Sequence, residues 1–563
     1  MADLLPAAGQ LQSWAGFLRS THAAARRRHG PVATAAALTI LACALLPAFA
    51  ALAVLRRLRP SANLASDGLR FLLTTFPGSL LTRSHFTYEH LPPEGADTAG
   101  EDGFERIGRF VRALIDGTED ADVPWVDDDR GAPLDTSAVP RLLATTRRPA
   151  GSWDVLQRAR ASEHLIALRD GRMFQVEIGP RGARASGQRI AAALRSVMAE
   201  AGEHPPAPTV LTCWPRQAGW AARRRLRNDP VDGDSVRIIE GALLVVAIDD
   251  EDGGDPPARR DRNPANRWLD HTVQLVVTPS GAIEGLIDHA VIDGHDYGRL
   301  AERLRASEAG RTDDTDGEAL PIAPLRWSGD PKTEAAQARA RADLWIEAAR
   351  FRPAVVNLPE LSAEAARARS ASPDAVCQLI LHRAFYLSMG RAPAGQACVV
   401  HRRRHAGGRF AFADVATGSG DVWMTSGQGL VSAADALRAK VASTVSGPDP
   451  SSTLFALAGV QSVGPMGLRA WIRRLSDRGV LAIGPLATAL HPELTSSNMS
   501  GLPALGQVGP VTQRPRGLAC AHRIGPDGLR LDLWWAGAEV EQMQALTAAI
   551  RQAAGEAVAD LGL

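Results

Sequence analysis

NRWLDHTVQLVVTPSGAIEGLIDHAVIDGHDYGR, residues 266–299, is the stretch on which the fold prediction rests. Residues from Thr272 to Thr278 alternate and then become apolar, a Pro-Ser-Gly turn follows, and a second apolar run extends from Ala282 to Ile287. Two such runs around a short turn are typical of a β-hairpin. The sequence therefore predicts a hairpin whose second strand ends in a loop that carries polar residues.

That loop contains the pattern H-x-x-x-D-G, formed by His289, Asp293 and Gly294. A histidine side chain can accept a proton from an alcohol or thiol that attacks an acyl carbonyl. We expect the turn to fold Asp293 back towards the ring or a nearby cation, and Gly294 to allow a sharp chain reversal. The alternative interpretation is a structural histidine that caps a strand.

Composition restricts the class of protein. The 563 residues can form roughly two to four domains of about 150 residues each. Lys and Arg (63) nearly balance Asp and Glu (62), so no overall basic charge indicates a nucleic-acid partner. The cysteines lack C-x-x-C spacing, which favours neither a metal site nor disulfides and fits a reducing compartment. They are Cys43, Cys213, Cys377, Cys398 and Cys520.

The N-terminal region contains an uncharged run from Pro31 to Leu55, which arginines flank on both sides. Such a run can cross a hydrocarbon core of about 30 Å, so we predict a single transmembrane helix over residues 31–55. The alternative is a buried core helix. Residues 1–30 precede the helix as an N-terminal segment, and residues 56–133 are predicted to be a linker with a short helical region.

Local signals predict two further elements with well-defined ends. His164 to Arg169 and Met173 to Ile178, separated by Asp-Gly, predict a second hairpin. Ser372 followed by Pro and Asp is typical of a helix start, and Gly390 of its end.

The motifs from Leu134 onward resemble, in order, those of the choline/carnitine acyltransferases. The similar segments are PLDTSAVPRLLATTRRPAGSWD, SEHLIALRDGRMFQVEI, NDPVDGDSVRIIEGALLVVAIDD, NRWLD with IDHAVIDG, SPDAVCQLILHRAFYLSMGR and LTSSNMSG. The resemblance implies an α/β fold of two chloramphenicol-acetyltransferase-like domains that face a central tunnel. We assign residues 134–330 to the domain with the catalytic histidine and residues 331–563 to the second domain.

In this family the histidine acts as general base without a covalent acyl-enzyme, which implies this role for His289, with Asp293 beside it. The LTSSNMSG segment provides Thr495, Ser496 and Ser497, whose hydroxyls can bind a tetrahedral oxyanion. Ser497 aligns with the family serine closest to that role. Thr495, Ser496 and Gly294 are predicted to contact substrate. A solvated Ser/Thr turn is the alternative interpretation of this segment.

For coenzyme A the family uses lysines before S-P-D-A, together with its aspartate. Here Asp374 is present, Arg367 replaces one lysine, Arg369 lies nearby, and an alanine replaces the other lysine. Arginine can still bind phosphate bidentately, so the resemblance implies altered coenzyme A binding. The alternative for both arginines is a solvated helix face.

The residues that hold carnitine in the family differ here. Gln396 stands at the position of its tyrosine and Phe410 near its threonine, and GVQSVGPMG occupies the region of its arginine. A buried carboxylate would lack partners, which is costly. We therefore expect an acceptor other than carnitine, and three tyrosines in the whole chain give choline no special support.

Together these observations predict a single-pass membrane acyltransferase with a cytoplasmic catalytic region. Acyl-CoA would be its co-substrate, with no bound cofactor or metal, and a small hydroxylated or lipid-like molecule its acceptor. One alternative is an acyl donor bound to a carrier protein. The other is a non-catalytic, membrane-tethered scaffold of the same fold.

Overall fold

The computed structural model describes residues 85–92, 103–119, 136–150, 154–200, 205–250, 263–308, 319–401, 410–415, 419–446, 492–509 and 516–563. The predicted transmembrane helix over residues 31–55 lies outside these ranges and stays a prediction. Within them, no helix combines the length and apolar character that crossing a membrane requires.

The described ranges contain both strands and helices in each part of the chain, which confirms the mixed α/β class. The strands are β1 (His85–His90), β2 (Thr145–Pro149), β3 (Asp154–Arg158), β4 (His164–Arg169), β5 (Arg172–Glu177), β6 (Val245–Ile248), β7 (Val273–Val277), β8 (Ile283–Asp288), β9 (Ile322–Pro324), β10 (Phe351–Leu358), β11 (Gln396–His401), β12 (Phe410–Asp414), β13 (Leu494–Asn498), β14 (Leu505–Gly509), β15 (Leu518–Gly525) and β16 (Gly528–Ala536).

The α-helices of the same ranges are α1 (Gly103–Glu119), α2 (Gly187–Ala199), α3 (Val210–Cys213), α4 (Arg216–Asn228), α5 (Pro230–Gly241), α6 (Gly294–Glu308), α7 (Pro331–Ala348), α8 (Ala363–Ala368), α9 (Pro373–Met389), α10 (Ser419–Ser426), α11 (Leu430–Ser446) and α12 (Val540–Leu561).

Thr74–Ala349 and Leu502–Val511 form one compact unit, which we call the histidine unit. Its described residues build an eight-stranded sheet in the order β14-β1-β8-β7-β6-β4-β5-β9, beside the two-stranded β2-β3 sheet. β7 and β8 pair antiparallel with Val273 opposite Ile287, so the predicted hairpin is confirmed. The β4-β5 hairpin is confirmed as well, and positive φ angles at Asp170 (49°) and Gly171 (73°) form its turn.

β8 lies inside this sheet, between β7 and β1. All six of its residues are buried, including the charged Glu284 and Asp288. β1 pairs with β8 over its full length and with β14 on its other side. β8, which leads into the candidate histidine, is therefore paired on both sides, with β7 and with β1.

Arg350–Gly501 and Thr512–Leu563 belong to the second compact unit, which we call the serine unit. Its described residues form a six-stranded sheet in the order β10-β16-β15-β13-β11-β12. Helix α9 packs into the core of this unit and buries eleven consecutive residues from Ala375 to Phe385. The Ser372 side chain caps its start, and Gly390, with φ of 66°, ends it, so both predicted ends are confirmed.

Candidate active site

His289 follows β8 directly and is 6% exposed. Its Nδ1 atom lies 3.2 Å from the Ile292 carbonyl oxygen in the same loop. A carbonyl oxygen only accepts hydrogen bonds, so this contact requires a proton on Nδ1. In the neutral ring the lone pair is then on Nε2, which is the nitrogen available as a base.

The strand end is fixed by a buried ion pair on the residue before the histidine. Nη1 of Arg147 lies 3.1 Å from both carboxylate oxygens of Asp288, and Nε donates to Asp154 at 2.8 Å. The Ala290 amide donates to Asp288 at 2.9 Å. Because these side chains are almost fully excluded from water, their geometry is strongly constrained.

This ion pair continues into a cluster on the side of β2 and α4. Arg216 donates through Nε to Asp154 at 2.8 Å and through Nη1 to Asp270 at 2.6 Å. Arg223 also donates to Asp270, at 3.1 Å. Burial, together with the charge of Arg216, lowers the pKa of Arg223 to about 10. Three arginines thus oppose three aspartates, and the buried charges balance.

Asp293 and Gly294 open helix α6 rather than reverse the chain. Oδ1 of Asp293 accepts a hydrogen bond from the His295 amide at 3.0 Å. A Cβ atom on Gly294 would lie 2.4 Å from the Tyr88 hydroxyl oxygen, whereas the backbone there is not in the left-handed region. Gly294 therefore does not supply a glycine-specific backbone conformation for the turn, as the sequence interpretation expected; its missing side chain leaves space for a tyrosine.

Two site residues come from β1, which the sequence interpretation did not identify. The Phe86 ring lies 4.4 Å from the His289 ring between centroids, at an interplanar angle of 76°. Tyr88 stands two residues further on, over Gly294. The available signal was the alternation in HFTYEH just before two prolines, within the stretch assigned to a linker and short helical region.

In the serine unit, LTSSN forms β13, a central strand between β11 and β15. Thr495 and Ser497 are partly buried on one face, whereas Ser496 is fully buried on the other, where its hydroxyl donates to Gln378. Successive side chains of a strand point to opposite faces, so the hydroxyls of Thr495 and Ser497 lie on one face and that of Ser496 lies on the other. The alternative of a solvated turn does not fit a central strand.

Asp374 at the start of α9 is bonded inside the serine unit. Its Oδ1 atom accepts from Nε2 of His522 at 2.8 Å and from Nδ2 of Asn498 at 3.0 Å. Burial opposes ionisation of Asp374, but His522, Asn498 and Gln378 outweigh it, and the pKa of the carboxyl is lowered. This carboxylate therefore already satisfies part of its bonding capacity without a ligand.

The two arginines predicted for coenzyme A lie at the end of α8. Arg367 and Arg369 are both exposed, and Arg369 donates to the carbonyl oxygen of Gly562. An exposed guanidinium can bind phosphate, and a solvated helix end fits the same position.

Gln396, at the position of the family's tyrosine, is fully buried. Its Oε1 accepts from Nδ1 of His382 at 2.6 Å, and its Nε2 donates to the Gln378 carbonyl at 2.8 Å. Burial lowers the pKa of His382, so this amide network is neutral. The Phe410 side chain and residues 459–469, on which the other acceptor-side predictions fall, lie outside the described part of the chain.

In the ranges that the structure describes, no group of three or more His, Cys, Asp or Glu side chains could hold a metal ion. The cysteines of those ranges are buried free thiols, namely Cys213, Cys377, Cys398 and Cys520.

The sequence matches the family described as Choline/Carnitine o-acyltransferase over residues 77–426. The chain belongs to this family. The match begins before Leu134, so it includes β1, and it ends before the LTSSNMSG segment. The acyltransferase family therefore covers His289 and Asp374, while Ser497 rests on the motif alone.

Curated relatives share about a quarter of their aligned residues with the chain. Mitochondrial carnitine O-palmitoyltransferase 2 of Mus musculus is 26% identical over 42% of this chain and 35% of its own length. Choline O-acetyltransferase of Gallus gallus is 26% identical over 49% of each. Highly reducing polyketide synthase 17 of Metarhizium anisopliae is 26% identical over 40% of this chain and 8% of the synthase. The chain thus spans less than half the length of these relatives.

Among solved structures, the first condensation domain of the CDA synthetase is similar, with 15% identity and a TM-score of 0.40. The similarity covers 88% of this chain and 94% of that domain.

Proposed function

We propose that this protein transfers an acyl group between coenzyme A and a hydroxyl acceptor, with His289 as general base. The observation that carries the proposal is the bond from Nδ1 of His289 to the Ile292 carbonyl, which leaves Nε2 as the basic nitrogen. The buried pair of Arg147 and Asp288 supports it, because it fixes the strand end next to the ring.

In the proposed reaction, Nε2 of His289 takes the proton of the acceptor hydroxyl. At the same time the oxygen of that hydroxyl attacks the thioester carbonyl carbon. A carbon–oxygen bond forms, and the carbonyl oxygen becomes an oxyanion. Collapse of this intermediate breaks the carbon–sulfur bond, and the imidazolium returns the proton to the coenzyme A thiolate. Ser497 is the proposed oxyanion donor, with Thr495 on the same face of β13. The buried hydroxyl of Ser496 instead supports the strand.

The proposed acceptor is not carnitine. The family's tyrosine position is occupied by Gln396, whose amide is bonded to His382 and to the backbone in the core of the serine unit. An amide committed to internal partners is unsuited to hold a substrate carboxylate. A small hydroxylated or lipid-like acceptor is consistent with the proposed membrane anchor at residues 31–55.

A donor bound to a carrier protein is the second candidate. Two observations favour it: Asp374 is engaged by His522 and Asn498, and the chain is similar to a segment of a polyketide synthase. A carrier presents its acyl group on a tethered thiol, so the chemistry at His289 would be unchanged. Only recognition of the donor would differ.

The proposed architecture is two chloramphenicol-acetyltransferase-like domains behind a single transmembrane helix, with the catalytic region in the cytoplasm, where acyl-CoA is found. Protease protection of residues 134–563 in sealed membranes tests this. Cleavage from the cytoplasmic side is expected, and protection from that side would contradict the assignment.

The decisive experiment measures thiol release by the full-length chain from acyl-CoAs of increasing length, with carnitine, choline and other alcohols as acceptors. A parallel series supplies the acyl group on a phosphopantetheinyl carrier protein. His289→Ala should abolish acceptor-dependent release. The matched control is His164→Ala, because His164 also binds a backbone carbonyl through its ring, that of Ile238 at 2.9 Å, but lies away from the loop.

Release from acyl-CoA that is lost in His289→Ala supports the first candidate, and release from the carrier alone supports the second. Equal activity of His289→Ala and the wild-type protein would refute His289 as the base. Absence of any transfer, with neither donor bound, would favour a membrane-tethered scaffold.

A further inference from the structure

One face of β1 contacts the H-x-x-x-D-G loop at both of its ends. Phe86, Tyr88 and His90 alternate along the strand and therefore share that face. Phe86 meets the His289 ring at 4.4 Å. Tyr88 lies 5.1 Å from Tyr297 of helix α6, and the Tyr297 hydroxyl lies 3.0 Å from Nε2 of His90. The loop is thus held where β8 ends and where α6 begins.

The register between the strands fixes this arrangement. Phe86 is opposite Ile287 and Tyr88 is opposite Gly285, without a break along β1 and β8. Side chains on paired strands keep a defined separation, so this register places the aromatic rings of β1 beside the loop that follows β8. A shift of one residue would turn these rings to the opposite face.

The imidazole of a histidine needs such a contact, because rotation about its last side-chain bond has broad minima. The hydrogen bond from Nδ1 to the Ile292 carbonyl fixes one atom of the ring but does not by itself fix the tilt of its plane. An aromatic side chain at 76° and 4.4 Å has the edge-to-face geometry that rings prefer, and it blocks one direction of tilt.

We propose that β1 is the positioning strand of the active site, and that Phe86 is a positioning residue that holds His289 with Nε2 towards the acceptor. The inference rests on the proposed function for its catalytic consequence. Its structural part, the orientation and tautomer of the ring, stands independently of any substrate.

The protonation state of Tyr88 agrees with this role of β1. Burial, with the nearby carboxylate of Asp293, raises the pKa of Tyr88 well above its ordinary value. The Tyr88 side chain therefore stays a neutral phenol near neutral pH, and its contact with Gly294 does not change with protonation. Nothing in this strand needs to titrate for the loop to be held.

The test compares Phe86→Leu with Phe174→Leu in the full-length chain. Phe174 is the matched control, because it is a buried phenylalanine in β5 of the same sheet, several strands away from β1. The first readout is the pair of ring ¹⁵N chemical shifts of His289, identified by their loss in His289→Gln. The second is the separate change of kcat and KM with whichever acyl donor supports activity.

Phe86→Leu is expected to move the His289 shifts away from a single Nε2-basic tautomer and to lower kcat about 10-fold with KM within about 2-fold. Phe86→Tyr should keep the ring shifts and kcat at their wild-type values, and Phe174→Leu should change neither of them. If Phe86→Leu is too unstable to assay, Phe86→Met provides the same test with an unbranched apolar side chain.

Unchanged ring shifts and kcat in Phe86→Leu would overturn the inference. Equal losses in Phe86→Leu and Phe174→Leu would overturn it too, since they would indicate general destabilisation. Failure of the proposed function is distinguishable, because His289→Ala would then retain transfer while the ring shifts still report on Phe86.

Discussion

The two units stabilise their candidate site strands by different interactions. At the end of β8 the histidine unit buries a charged cluster, in which Arg147 binds both Asp288 and Asp154. The buried face of β13 in the serine unit is instead held by a neutral hydrogen bond, from the Ser496 hydroxyl to Gln378. A buried charge that loses its partner is far more costly than a neutral group that does, so the two sites should respond differently to substitution.

The largest effect on stability is expected from breaking the charged cluster. Arg147→Ala removes the guanidinium that binds the buried carboxylate of Asp288 and leaves Asp154 with that of Arg216, and it should cost about 3–5 kcal/mol in the free energy of unfolding. The neighbouring Arg148→Ala loses an exposed hydrogen bond to Gln157 and should cost less than about 0.5 kcal/mol. Urea unfolding measures both, and similar costs would show that the cluster does not stabilise the unit.

Substitution of the two adjacent serines of β13 should have different effects, one on catalysis and the other on stability. Ser497→Ala is expected to lower kcat about 10²–10³-fold, because it removes a proposed oxyanion donor, and to leave stability nearly unchanged. Ser496→Ala leaves a buried oxygen of Gln378 without its donor and should cost about 1–3 kcal/mol with little change in kcat. The reverse pattern, with activity following Ser496, would contradict the assignment of faces.

Acid should weaken the histidine unit through two buried histidines. Burial, with the charge of Arg106, lowers the pKa of His90 to about 3, and burial lowers that of His271 to about 4. Both stay neutral at pH 5 in the folded protein but are protonated in the unfolded chain, whose histidines titrate near 6.5. Stability is therefore lost as the pH falls below about 6.5.

Between pH 7 and pH 5 this loss should reach about 4 kcal/mol for the two residues together. Hydrogen exchange of the β1 and β7 amides measures it for this unit. His90→Gln should reduce the loss by about half. Equal protection at both pH values would show that both histidines are protonated in the folded protein as readily as in the unfolded chain.

A smaller effect is expected where β1 meets the loop. Gly294→Ala places a methyl group against the Tyr88 hydroxyl and should cost about 1–2 kcal/mol. Tyr88→Phe alone should cost little, since this buried hydroxyl has no hydrogen-bond partner among the residues that the structure describes. The double variant should recover most of the loss, and additive costs in this cycle would exclude direct contact.

Local signals in the sequence were sufficient for the hairpins and for helix α9. The β7-β8 pairing follows from two apolar runs around a turn, and the ends of α9 follow from Ser372 and Gly390. Their information lies within a few residues, which is the range over which turn and capping chemistry acts.

Other features depend on residues far apart in the chain. Arg147 and Asp288 are separated by 141 residues, and no local pattern pairs them. The LTSSN segment consists of small polar residues, so its sequence does not reveal which face is buried, and Ser496 could not be distinguished from Ser497. β1 is a short strand, and both strands that it pairs with, β8 and β14, lie far from it in the sequence.

The position of β14 in the sheet has a consequence for biosynthesis. β1 pairs on one side with β8 and on the other with β14, whose residues, Leu505–Gly509, leave the ribosome long after the rest of the sheet. Until then β1 is an edge strand with unpaired backbone groups, and such edges recruit other chains. Nascent chains that stop before β14 should therefore depend on chaperones, and the strand that contacts His289 would be the last part of that sheet to be protected.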